Sequence, residues 1–164
     1  GVERDSENRS KGDRTREFDV VAQGWRYHMS NIMAAIGSTQ LGRFSDMANK
    51  RQELAMTYNT LLAPYKWCCV MPNDYRFVVP HIYVVRLEGM RDRKALRARM
   101  LDCGIQTGVH YWPNHWLSLF RECNGCELPV TEREFPQLLT LPLHPDLTEG
   151  DVEQVISVLS SQLS

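Results

Sequence analysis

The run His81-Ile-Tyr-Val-Val-Arg-Leu87 is rich in β-branched and aromatic residues, and together with Trp67-Cys-Cys-Val-Met71 it marks a change of pattern along the chain. Such short, bounded runs predict strands, because branched and aromatic side chains pack well on a pleated surface. Upstream the spacing is helical. Phe44, Met47, Ala48, Arg51, Leu54, Ala55, Tyr58, Leu61 and Leu62 recur at steps of three and four, the stripe of an amphipathic helix that Pro64 must stop. Before it, Ser30 can cap a first helix carrying Ile32, Met33, Ala35, Ile36 and Thr39. Phe18, Val20 and Val21 give a short extended stretch ending at Gly24.

Downstream, a helix is predicted from Arg93 to Cys103, with Asp92 as N-cap and Gly104 as its stop. Ile105 to Tyr111 reads as a further strand, and Leu138 to Leu143 as a short one between Pro136 and Pro145. Thr148 opens a last helix whose inner face is Val152, Val155, Ile156 and Leu159. The predicted order is α-α-β-β-α-β-β-α. Such mixing points to an α+β fold, a small mainly antiparallel sheet covered by helices, and not to a run of βαβ units.

The 164 residues, 43% hydrophobic and 24% charged, suit one globular core. A chain of this length buries roughly 70% of its unfolded surface and needs no metal or disulfide staple. A net charge of -1, from 19 basic and 20 acidic residues, gives no footprint for nucleic acid. No apolar run approaches the roughly 18 residues that span a bilayer, so no membrane segment is expected. The opening from Gly1 to Arg16 holds one apolar residue, Val2, and has no signal-peptide pattern; residues 1–24 read as an arm or connector and 25–164 as the domain. The odd count of five cysteines, without framework spacing, suits a reducing, cytoplasmic compartment.

There is no Gly-rich phosphate loop and no G-x-S-x-G elbow, which leaves dinucleotide, P-loop and hydrolase readings without an anchor. His110, His115, Cys123 and Cys126 form H-x4-H followed by C-x2-C, ligand types that zinc accepts, so a small zinc-binding structural domain is one alternative. Against it stand the reversed order and the apolar Trp116, Leu117, Leu119 and Phe120 between them, which read as a buried or partner-facing turn.

Several segments, in order, resemble the DegT/DnrJ/EryC1/StrS family of pyridoxal-phosphate-dependent sugar aminotransferases. They are Gly24-Trp-Arg-Tyr-His-Met-Ser-Asn-Ile-Met-Ala-Ala-Ile-Gly37 with Gln40-Leu41, Arg51 with Tyr58-Asn-Thr-Leu61, Gly104-Ile-Gln-Thr-Gly-Val-His-Tyr-Trp-Pro-Asn-His115, and Leu141-Pro-Leu-His-Pro145. The resemblance implies the C-terminal part of a fold-type-I subunit acting on a nucleotide-linked keto-sugar in amino-sugar biosynthesis. In family members the ring-stacking aromatic, the acid at the pyridine nitrogen and the Schiff-base lysine belong to a preceding large domain, so this chain alone is expected to be inactive.

A Schiff-base lysine needs a sheltered pocket that leaves its amine neutral. Lys11 lies in a charged loop, Lys50 and Lys94 stand beside arginines on helices, and Lys66 follows a helix stop, so none of the four suits that role. By resemblance, Arg26 and His28 belong to a loop that reaches the neighbouring subunit's pyridoxal phosphate. Many relatives carry an asparagine at one of these positions and this chain has none. The same resemblance places His81, His110, Tyr111 and His115 at the nucleotide-sugar substrate. A homodimer, or pairing with a large-domain polypeptide, is implied. A non-catalytic binding or dimerisation module of the same fold is the other alternative.

Overall fold

The computed structural model describes residues 23, 25, 27, 29–123 and 127–163, and of 121–123 the backbone alone. The predicted extended stretch at Phe18 to Val21 lies outside them, as do Arg26 and His28. The chain divides after Gly42 into two units, which we describe separately.

Helix α1, Asn31–Gly42, belongs to the first unit. The Ser30 hydroxyl accepts from the Met33 amide at 3.3 Å, the cap its position predicts. None of its residues is buried, and Ile32, Met33, Ile36 and Leu41 are all exposed.

The second unit holds α2 (Phe44–Leu62), β1 (Cys68–Val70), β2 (Tyr83–Leu87), α3 (Arg93–Asp102), α4 (Pro129–Glu134), β3 (Leu138–Leu141) and α5 (Glu149–Leu163). The strands form one antiparallel sheet in the order β1-β2-β3, with Cys69 opposite Arg86 and Val85 opposite Leu139. The predicted fold class, a small antiparallel sheet with helices, is observed.

Burial explains why these segments adopt these structures. On β2 the alternation is strict: Tyr83, Val85 and Leu87 are buried and the residues between them half-buried. Against that face pack Leu54, Tyr58 and Leu62 of α2, Leu96 and Met100 of α3, and Val152, Val155, Ile156 and Leu159 of α5. All four residues predicted for the inner face of α5 are buried, each contributing roughly 1.5–3 kcal/mol of transfer free energy. Helix α3 starts where the Asp92 carboxylate accepts from the Ala95 amide at 2.8 Å. It ends in a Schellman turn, Gly104 N–H to Leu101 O at 2.8 Å and Ile105 N–H to Met100 O at 2.9 Å, with Gly104 at φ +79° where a side chain would be strained.

Two expectations need correction. Ile105 to Tyr111 is not a strand: Gly108 alone bridges Thr140, because the next ladder positions on β3's side are Pro142, which has no N–H, and Leu138, whose amide and carbonyl are held by Phe135 O and Arg93. The segment keeps a strand's alternation, with Ile105 and Thr107 buried around exposed Gln106, but not its ladder. The predicted order also lacks α4, whose Pro129 at the first turn and acidic Glu132 are ordinary helix-start signals.

Candidate functional site

His81 and His110 line one cleft of about 250 Å³, with Gln106, Thr107, Gly108 and Thr140 among its other walls. His81 stands just before β2, exposed, and its carbonyl accepts from Arg51 Nη1 at 3.2 Å. The same Arg51 nitrogen donates to Leu143 O at 3.0 Å, so one side chain of α2 ties together the segments before β2 and after β3. The strand predicted to include His81 therefore starts two residues later, at Tyr83, because the His81 carbonyl is held by a side chain and not by the ladder.

His110 is half-buried, and its Nδ1 lies 2.9 Å from Thr140 Oγ1 on β3. Its ring folds over Gly108, where a Cβ would stand 2.8 Å from the His110 Cε1. The backbones of Gly108 and Thr140 exchange both hydrogen bonds at 2.9 Å, which fixes the loop to the strand at that point. The His110–Tyr111 peptide is cis. Tyr111 is 68% exposed and meets the His110 ring edge-on at 4.8 Å, leaving most of its face to solvent.

His115 is placed elsewhere. Its Nε2 pairs with Glu132 Oε1 of α4 at 3.0 Å, and its ring meets Trp116 at 5.6 Å. Trp112 and Trp116 each pack on Phe135 at 5.3 Å. Arg93 covers the Phe135 ring at 4.3 Å and donates to the carbonyls of Phe135 and Leu138. Arg86 of β2 reaches Glu134 at 2.9 Å, so the C-terminal end of α4 is tied to the sheet. Glu134 is held below the usual carboxylate range by its bonds from Arg133 and Arg86. Of the turn expected to be buried or partner-facing, Trp116 is half-buried and Leu117, Leu119 and Phe120 are exposed.

Of the six residues singled out in the sequence, the cleft thus gathers His81 and His110, Tyr111 borders it, and His115 belongs to the aromatic cluster. Thr107, Thr140, Gly108 and Arg51 also shape the site, and Thr107 Oγ1 is buried without a hydrogen-bond partner. Of the zinc-type set, His110 and His115 are each engaged, with Thr140 and Glu132, and the cysteine side chains of 123 and 126 lie outside the described residues. Among the described residues no three His, Cys, Asp or Glu side chains converge as a metal set. No described helix is long and apolar enough to cross a membrane.

The model of the DegT/DnrJ/EryC1/StrS aminotransferase family matches residues 1–160. The chain belongs to that family. Among solved structures, the aminotransferase TlmJ from Streptoalloteichus hindustanus is 32% identical, over 90% of this chain and 40% of that one, with a TM-score of 0.74. The sugar aminotransferase CalS13 from Micromonospora echinospora is 26% identical, over 98% and 42%, with a TM-score of 0.78. Spr1654 from Streptococcus pneumoniae, in its PLP form, is 25% identical, over 90% and 40%, with a TM-score of 0.75. The chain therefore spans about two fifths of the length of these DegT/DnrJ/EryC1/StrS relatives.

Proposed function

We propose that this chain forms the substrate-facing part of a pyridoxal-phosphate-dependent aminotransferase that transfers an amino group to a nucleotide-linked keto-sugar in the cytoplasm. The observation that carries this reading is the meeting of His81 and His110 in one cleft beside the exposed Tyr111. Imidazoles and a phenol bond hydroxyls and diphosphate oxygens, and the open faces of Tyr111 and Trp112 suit apolar sugar or base surface. His115, paired with Glu132, supports the aromatic wall next to it. Residues 25–164 are the small-domain body on this reading and 1–24 its connector. Arg26 and His28 supply the phosphate contacts of a neighbouring subunit, in a homodimer or in a pairing with a large-domain polypeptide.

The described residues do not fit the covalent attachment of pyridoxal phosphate. Lys50 is half-buried on α2, Lys66 and Lys94 are exposed, and no lysine lines the cleft. A neutral attacking amine needs a desolvated pocket. The remaining lysine, Lys11, lies outside the described residues in a charged stretch. The same observation favours, as a second reading, a non-catalytic binding or dimerisation module of this fold.

Titration of the 15N-labelled chain with UDP-glucose tests the substrate reading. Shifts concentrated at residues 81–82, 106–111 and 140–143 are expected, weakened in His110→Ala and His81→Ala. Shifts confined to other regions, or unchanged binding by both variants, would contradict it.

A further inference from the structure

Thr140 is 6% exposed, and among the described residues its hydroxyl makes one hydrogen bond, to His110 Nδ1 at 2.9 Å. A hydroxyl carries one proton and must place it somewhere when water is excluded. If Nδ1–H donated to Thr140, the hydroxyl proton would be left without a protein acceptor among the described residues. Donation from Oγ1 to Nδ1 satisfies both atoms at once. It also fixes the ring's chemistry, because a neutral imidazole that accepts at Nδ1 carries its proton on Nε2.

Gly108 makes this geometry possible. A Cβ at that position would lie 2.8 Å from His110 Cε1 and 3.2 Å from Nδ1, with the Thr140 Cβ at 3.4 Å, so the ring would have to shift from its seat against Thr140. The paired backbone bonds between Gly108 and Thr140 prevent the loop from moving aside to make room.

We propose that Thr140 and Gly108 are positioning residues that hold His110 as the Nε2–H form, so that the cleft presents a hydrogen-bond donor to an acceptor oxygen of its ligand. Nε2 has no protein partner among the described residues, and His110 is one wall of the cleft. A diphosphate or keto oxygen suits such a donor; a ligand N–H does not. The ligand half of this inference rests on the substrate reading above, whereas the state of the ring does not.

The test uses the 164-residue chain labelled with 15N-histidine, at a pH of about 8 where an ordinary imidazole is neutral. Long-range proton–nitrogen correlations of wild type and Thr140→Ser should show His110 with Nε2 protonated and Nδ1 shifted by an accepted hydrogen bond. Thr140→Val, which keeps the shape and removes the hydroxyl, should lose that Nδ1 shift. Gly108→Ala, once shown to retain a cooperative urea transition, should give the Thr140→Val pattern. A protonated Nδ1 in wild type, or His110 signals unchanged in Thr140→Val, would overturn the proposal, and a wild-type pattern in Gly108→Ala would remove Gly108 from it. Uridine diphosphate added to the same samples should shift the Nε2–H signal, with affinity reduced up to about tenfold in Thr140→Val, the scale of one hydrogen bond. If the ring pattern holds and uridine diphosphate leaves it unmoved, the donor role and the substrate reading fail together while the positioning geometry stands.

Discussion

Tyr58 of α2 stacks on Tyr83 of β2, ring centroids 4.6 Å and planes 20° apart, and the two phenols diverge to separate partners. The Tyr58 hydroxyl donates to Pro142 O at 3.0 Å and that of Tyr83 to Asn59 Oδ1 at 2.6 Å. One stacked pair thus ties helix, sheet and the segment following β3, which forms part of the cleft. Burial pushes both phenols well above the ordinary tyrosine range, so they serve as donors throughout the accessible pH range. Tyr58→Phe is expected to cost about 1 kcal/mol, the net worth of one hydrogen bond, and Tyr58→Ala about 3–5 kcal/mol through lost packing. Urea unfolding measures both.

Arg51 should act on stability and site together, since Nη1 bridges the carbonyls of His81 and Leu143. Arg51→Met keeps the aliphatic stem and is expected to destabilise by about 1–3 kcal/mol, the range for charge-assisted bonds. Backbone amide signals near 81 and 143 should broaden or shift. A variant with wild-type urea midpoint and unshifted amides would show the bridge to be inconsequential.

The start of α5 predicts a pH dependence. The Thr148 hydroxyl accepts from the Asp151 amide at 3.2 Å, and Asp151 Oδ2 accepts from the Thr148 amide at 2.8 Å. The carboxylate also accepts from the Thr148 hydroxyl at 2.7 Å, and these two bonds to it, from the Thr148 amide first and the hydroxyl second, hold the Asp151 carboxyl below the usual range. A depressed folded pKa contributes stability that is complete above the unfolded value of about 3.9 and is lost as the pH falls through the lower folded value. Asp151→Asn should flatten the fall in urea midpoint below about pH 4. Thr148→Ala should cost about 1 kcal/mol at neutral pH.

Three cysteines differ in environment in a way that alkylation reads directly. Burial, and secondarily the neighbouring Cys69, push the Cys68 thiol up to about 12, whereas Cys69 and Cys103 are exposed. The thiolate is the reactive form. Iodoacetamide near pH 8 should modify Cys69 and Cys103 about tenfold or more faster than Cys68. Equal rates would mean that β1 opens readily.

Periodicity in the sequence recorded burial better than it recorded pairing. The stripes of α2 and α5 were legible because one face of each helix meets the sheet; from the α2 stripe, Ala48, Leu54, Ala55, Tyr58 and Leu62 are buried. Phe44, at the start of the same stripe, is 54% exposed. At 105–111 the alternation of Ile105 and Thr107 truly reflects which side chains are inside, but beyond Gly108 the ladder meets Pro142, without an N–H, and Leu138, whose amide and carbonyl are already engaged. The histidines of the cleft could be named from motif resemblance. Thr140, Gly108 and Arg51 could not be assigned roles, because their contacts join residues 30 to 92 positions apart and a single sequence carries no signal for such pairs.

On the proposed reading this chain supplies scaffold and a substrate-facing cleft, and none of its described lysines suits the Schiff-base role. Incubation of the purified 164-residue chain with pyridoxal phosphate, borohydride reduction and peptide mapping test it most directly. At most scattered, substoichiometric modification of the exposed lysines is expected. Stoichiometric fixation of the coenzyme on one lysine would contradict it.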